Sequence, residues 1–152
     1  MAKLLRDKVT LVTGASRGIG RAIAVAMADE DAKVALTGRD IGRLNKVMEQ
    51  IQVVGGQSDI WKMDVSSETE VEQSVNKILD SWGQIDILVN NAGIGEHCEL
   101  EDVSLERLTQ MLNIGAITIR KIGVTWTTYL TTDYRARTTL SNVAWTIRQE
   151  FV

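Results

Sequence analysis

The sequence predicts an α/β fold built on a right-handed, parallel, doubly wound sheet. Three observations carry that reading. Four short apolar runs alternate with segments of helical periodicity, the order that produces parallel strands joined by crossover helices. The stretch TGASRGIG, Thr13 to Gly20, lies between the first such run and the first helical segment. A chain of 152 residues with an apolar share of 44% also holds enough for one core, and rarely for two.

Each element has its own signal. Val9 to Val12 is short, apolar and β-branched, as suits a strand buried on both faces. Ile19, Ile23 and Met27 then recur every four residues, a stripe expected to pack the first helix on the sheet. Lys33 to Thr37 gives the second strand and completes one crossover unit. Leu44, Val47, Met48, Ile51 and Val54 mark the next helix, which Gly55 and Gly56 end before a strand around Asp59 to Met63. Ser67 and Glu70 fit a capping box, with Val71, Val75, Ile78, Leu79 and Trp82 along one face and Gly83 as the stop. Ile85 to Val89 is the fourth strand, and Ser104 can cap a helix carrying Leu105, Leu108 and Leu112.

Beyond about Gly123 the texture changes to a stretch rich in Thr and aromatic residues, of high β-propensity and without sustained helical period. The expected division is residues 1–123 as one α/β domain and 124–152 as an atypical tail. The parallel sheet is then expected to stop after its fourth or fifth strand. Unless the tail covers it, the fourth strand leaves an open edge, which invites homo-oligomers.

A net charge of −3 gives no electrostatic case for nucleic acid or an anionic membrane as partner. Residues 1–10 lack the apolar core of a signal peptide, and no apolar run is long enough to span a bilayer, so a cytoplasmic location is expected. The single Cys98 excludes an intramolecular disulfide, and with His97 as the one histidine no metal site is expected.

The glycine loop carries the chemistry. Gly14, Gly18 and Gly20 permit a tight strand-to-helix turn, let backbone approach a pyrophosphate, and bring helix and sheet close together. A side chain at Gly14 is expected to block that approach. The free amides and positive dipole end of a helix N-terminus then bind phosphate without a metal. The plainer alternative is a turn and nothing more. A dinucleotide site usually has an acidic residue about 20 residues further on for the ribose 2′-hydroxyl. Gly38 and then Arg39 stand there instead. An arginine without a carboxylate favours a 2′-phosphate, and Arg17 is within the same loop, so the cofactor leans to NADP over NAD. Asp64, after the third strand, suits either a hydrogen bond from an adenine amino group or a simple turn.

TGASRGIG, the Asp64–Val65 pair and NNAG at Asn90 to Gly93 together resemble, in order and spacing, the short-chain dehydrogenases/reductases. The resemblance covers about residues 8–123 and implies a Rossmann-like fold. It implies that Gly14, Ser16, Ile19 and Gly20 line the phosphates, Asp64 and Val65 the adenine, and Asn90, Ala92 and Gly93 the nicotinamide-side ribose. By the same resemblance Thr13 and Asn90 tie the end of the first strand to the fourth, and Asn113 stands at the active-site asparagine. One local departure is Asp31, where the family commonly has glycine; aspartate enters left-handed geometry at a modest cost.

The family's activity interconverts a secondary alcohol and a carbonyl by hydride transfer, using a tyrosine, a lysine four residues later and a serine that orients the substrate oxygen. Here Asp133 follows Tyr129 and Thr138 follows Tyr134 at that spacing, and Lys121 is the last lysine in the sequence. Ser141 is a candidate serine only by default, and His97 a remote proton relay. The sequence therefore admits three functions: an NADP-dependent oxidoreductase acting on a small carbonyl or alcohol, a non-catalytic NADP(H)-binding chain, or a marginal protein that associates through its sheet edge.

Overall fold

The computed structural model of the chain describes residues 3–93, 104–106, 109 and 144–147. Within them β1 (Val9–Thr13), α1 (Gly18–Asp29), β2 (Lys33–Gly38), α2 (Ile41–Val53), β3 (Gln57–Lys62), α3 (Glu68–Trp82) and β4 (Ile87–Asn90) alternate as the sequence predicts. The sheet order is β3-β2-β1-β4-β5, where β5 is Ala144–Ile147. The first four strands are parallel. β5 runs antiparallel to β4, with Ala144 opposite Asn90 and Ile147 opposite Ile87. The sheet is thus mixed at that edge, and the tail covers the strand expected to stand open. An antiparallel neighbour satisfies the ladder donors and acceptors of an edge strand as fully as a parallel one.

Side-chain alternation along the strands builds two cores. Val12, Val34, Leu36 and Val89 meet Ala24, Ala28, Leu44, Val47 and Ile51 on the face covered by α1 and α2. Leu11, Ala35 and Leu88 meet Val71, Val75 and Ile78 of α3 on the other. Burial on both faces is why β1 and β4 read as mainly apolar runs, with Thr10, Thr13 and Asn90 the buried polar exceptions.

Helix α1 corrects the sequence reading. Its buried residues are Gly20, Ala24 and Ala28, one position along from the expected stripe. Ile23 and Met27 pack at the margin of the core, and Ile19 is 60% exposed. Small residues win the contact face because they let the helix lie close to the sheet and to α2. A Cβ on Gly56, just past α2, would come within 2.8 Å of the Ala28 Cβ.

Helices α1 and α2 end in the same way. Asp31 (φ 68°) and Gly55 (φ 77°) occupy the left-handed position. The Asp31 and Ala32 amides donate to Ala28 and Met27 carbonyls, and those of Gly55 and Gly56 to Gln52 and Ile51. Asp31 therefore does adopt the geometry usually given to glycine. At α3, Ser67 Oγ accepts from Glu70 N, as a capping box requires, but the reciprocal bond is replaced. Glu70 Oε2 accepts from Asp64 N at 2.9 Å, while Ser67 N is taken by the Asp64 carbonyl at 3.0 Å. Leu105, Glu106 and Thr109 are helical, with Leu105 79% exposed; Leu108 and Leu112 lie outside the described residues. No helix among the described residues is long and apolar enough to cross a membrane.

Candidate functional site

Parallel strands deliver their carboxyl ends to one edge of the sheet, so the loops after β1, β2, β3 and β4 are neighbours. Two backbone bonds join them: Ala15 N donates to the Thr37 carbonyl and Met63 N to that of Gly38, each at 3.0 Å. Strand β1 lies between β2 and β4, with α1 and α2 on one face and α3 on the other. That is the switch point where open α/β sheets bind ligands.

Helix α1 starts differently from its neighbours. Asp40 Oδ1 caps α2 through Arg43 N, and Ser67 caps α3, whereas Arg17 at the head of α1 makes no side-chain cap and no acidic residue occupies the first turn. Among the described helices, α1 alone thus presents its N-terminus uncapped. Gly14 (φ 66°) and Gly18 (φ 55°) make the turn that aims it. A Cβ on Gly18 would meet nothing within 4 Å. Ser16 is half-buried, while Arg17, Gly18 and Ile19 are exposed around that open side. Uncapped amides, a positive dipole end and a first turn without acidic residues fit an anionic diphosphate.

The two other glycines face inward. A Cβ on Gly20 would lie 2.4 Å from the Gly14 carbonyl oxygen and from Asn91 Nδ2; one on Gly14 would lie 3.0 Å from Ala92 Cα. Substitution at Gly14 would therefore also press on the contact between the first and fourth loops.

The contact is a clasp centred on Thr13. Its fully buried hydroxyl donates to the Val89 carbonyl (3.3 Å) and accepts from Asn91 N (3.0 Å) and Ala92 N (2.9 Å). Asn91 Nδ2 donates back to the carbonyls of Thr13 (3.0 Å) and Gly14 (3.3 Å). Thr13 is the tie that the resemblance implies, but these bonds run to Asn91 rather than to Asn90, which is buried in β4. Asn90 closes the strand, and Asn91 turns its carboxamide onto the neighbouring loop. Ala92 is half-buried beside it and Gly93 exposed.

Arg39 follows β2 and is 74% exposed, its Nη1 3.8 Å from Asp64 Oδ2. Asp40, next in sequence, is occupied: Oδ1 caps α2 and Oδ2 pairs with Arg43 Nε at 3.1 Å. Asp64 makes the turn that the sequence offered as one of its two roles, Oδ1 accepting from Ser66 N (2.9 Å) and Ser66 Oγ (2.6 Å). Those bonds, aided by Arg39, hold its carboxyl below the ordinary carboxylate value despite partial burial. Val65 packs half-buried against the α3-side core. Asn113, His97, Cys98, Tyr129, Tyr134 and Ser141 lie outside the described residues. Among the described residues no group of three His, Cys, Asp or Glu side chains is placed to hold a metal.

Sheet order, switch point and uncapped glycine-loop helix define the Rossmann-like class. Within it, the chain belongs to the short-chain dehydrogenase family, whose sequence profile matches residues 8–147. An uncharacterized oxidoreductase of Staphylococcus saprophyticus is 42% identical over 115 residues, 72% of this chain and 47% of the relative. A metagenomic short-chain oxidoreductase solved in complex with NADP is 31% identical with a TM-score of 0.71, over 78% of this chain and 56% of that one. An alcohol dehydrogenase of the archaeon Thermococcus sibiricus, complexed with 5-hydroxy-NADP, is 38% identical with a TM-score of 0.69, over 76% and 51%. The chain spans about half the length of the curated relatives it matches.

Proposed function

We propose that this chain binds NADP(H) in preference to NAD(H) and is the nucleotide-binding part of a short-chain oxidoreductase. The observation that carries the reading is the pairing of an uncapped α1 N-terminus with Arg39 at the end of β2. Gly38 brings no carboxylate to that end, and the one on Asp40 is committed to Arg43. The amides of Gly18, Ile19 and Gly20 would hold the pyrophosphate, and Arg39, with Arg17 of the glycine loop, the 2′-phosphate. Asp64 and Val65 would border the adenine, and Asn90, Ala92 and Gly93 the nicotinamide-side ribose, on a loop that Thr13 and Asn91 keep rigid. Two relatives solved with NADP or its 5-hydroxy derivative support the choice of cofactor.

When bound, the reduced nicotinamide supplies hydride to a carbonyl carbon. The family's reaction is the interconversion of a secondary alcohol and a carbonyl compound, and the second reading concerns whether this chain performs it. Without a lysine beyond Lys121, neither Tyr129 nor Tyr134 has a cation at the family's spacing. A tyrosine without a neighbouring cation is a poor acid or base at neutral pH. The sequence therefore holds no acid–base pair of that spacing, which favours a chain that is weakly active or inactive as written.

Fluorescence titration with NADPH and NADH tests the binding claim. The expected result is tighter NADPH binding, a preference that Arg39→Ala removes; equal affinities, or a preference indifferent to Arg39→Ala, would refute it.

A further inference from the structure

Resting on the NADP reading, we infer that Asp64 sets the strength of the cofactor preference by competing with the 2′-phosphate for Arg39. Two oxygens divide the work of its carboxylate: Oδ1 is consumed by Ser66, while Oδ2 faces Arg39 Nη1 at 3.8 Å. Asp64 is also fixed at its backbone, its N–H donating to Glu70 and its carbonyl accepting from Ser67 N. Arg39 is anchored far less, with 74% of its side chain exposed, so the guanidinium comes to the carboxylate rather than the reverse.

A guanidinium engages phosphate best with a free two-pronged edge. With one arm drawn to Asp64, an incoming phosphate has to displace a carboxylate and then sit near its negative charge. NAD(H) has no such phosphate and meets neither penalty. An aspartate carboxyl is ionised across the neutral range, and the hydrogen bonds from Ser66 only lower its pKa further, so the competition holds there. Asp40 takes no part, being held by Arg43. Exposed pairs of this kind shift an equilibrium by roughly two- to fivefold.

The test compares NADPH and NADH dissociation constants for the full chain carrying Asp64→Asn, which keeps an oxygen for the Ser66 turn and removes the charge. Asp64→Ser, with its own turn-forming hydroxyl, is the second variant should the first fail to fold. Both cofactors share the adenine, so the ratio of constants cancels any loss there. The expected result is an NADPH preference raised roughly two- to fivefold, and no change of preference when the same substitution is made in Arg39→Ala. A preference that Arg39→Ala abolishes but neither Asp64 variant raises overturns the inference alone. So does a rise of equal size with and without Arg39. A wild-type chain with no preference, unaffected by Arg39→Ala, overturns the cofactor assignment and the inference with it.

Discussion

Replacing Thr13 by valine keeps the shape of a fully buried side chain and deletes its hydroxyl. Apolar bookkeeping alone makes that change neutral or favourable, whereas the clasp makes it costly. The Val89 carbonyl loses a donor at 3.3 Å, and the Ala92 amide loses an acceptor at 2.9 Å. Asn91 N suffers less, because the Val89 carbonyl also accepts from it at 3.1 Å. One half-buried amide deprived of its acceptor costs about 1–3 kcal/mol, and with a urea slope of ~2 kcal/mol/M the midpoint falls by about 1 M. Thr13→Ser is the control, since it keeps the hydroxyl and gives up one methyl, worth about 0.8 kcal/mol. Urea denaturation followed by circular dichroism should rank wild type above Thr13→Ser, and Thr13→Ser above Thr13→Val. NADPH affinity should fall in the same order as the 91–93 loop loosens. A valine variant as stable as wild type, or more stable than the serine variant, would show that the clasp carries no weight.

A carboxylate restored at the end of β2 should turn the cofactor preference toward NAD(H). Gly38→Asp fits, since a Cβ there meets Leu44 and Ser16 at 3.7–3.9 Å, and paired titrations should show the NADPH:NADH ratio falling about tenfold or more. Asp31→Gly should raise stability by about 0.5–1 kcal/mol in urea melts by relieving a side chain at φ 68°, less whatever the exposed Arg6–Asp31 pair contributes. Because the Asp64 carboxyl is held below its ordinary value, its ionised form stabilises the fold above about pH 4, and that contribution is lost as pH falls through the folded value. The stability gap between wild type and Asp64→Asn should accordingly shrink with acid. Absorbance assays with NADPH and a panel of ketones and aldehydes should show no turnover by purified chain; activity abolished by Tyr129→Phe, Tyr134→Phe or His97→Ala would reverse that reading.

The order and type of the first seven elements were legible because burial on both faces writes itself as apolar runs, and each helix end carries its own residue signature. The contact face of α1 was not. Helical periodicity points to the largest apolar residues, here Ile19, Ile23 and Met27, but close approach to a sheet selects the smallest, Gly20, Ala24 and Ala28. Site residues fixed by backbone geometry, such as Gly14 and Gly18, could be read from the loop itself. Those fixed by long-range partners could not: nothing local in Asn91 announces a bond to Thr13, 78 residues away. Arg39 and Asp64 illustrate the same limit, since each was legible alone and their pairing became visible only once β2 and β3 lay side by side.

The central claim is that the N-terminus of α1 receives the pyrophosphate of NADP(H), and amide chemical-shift mapping during an NADPH titration tests it directly. The amides of Gly18, Ile19 and Gly20 should move most and saturably, together with those of Ala92 and Gly93, while Gly55 and Gly83, both distant from this loop in sequence, stay in place. Saturable binding that leaves Gly18, Ile19 and Gly20 unmoved would contradict the account.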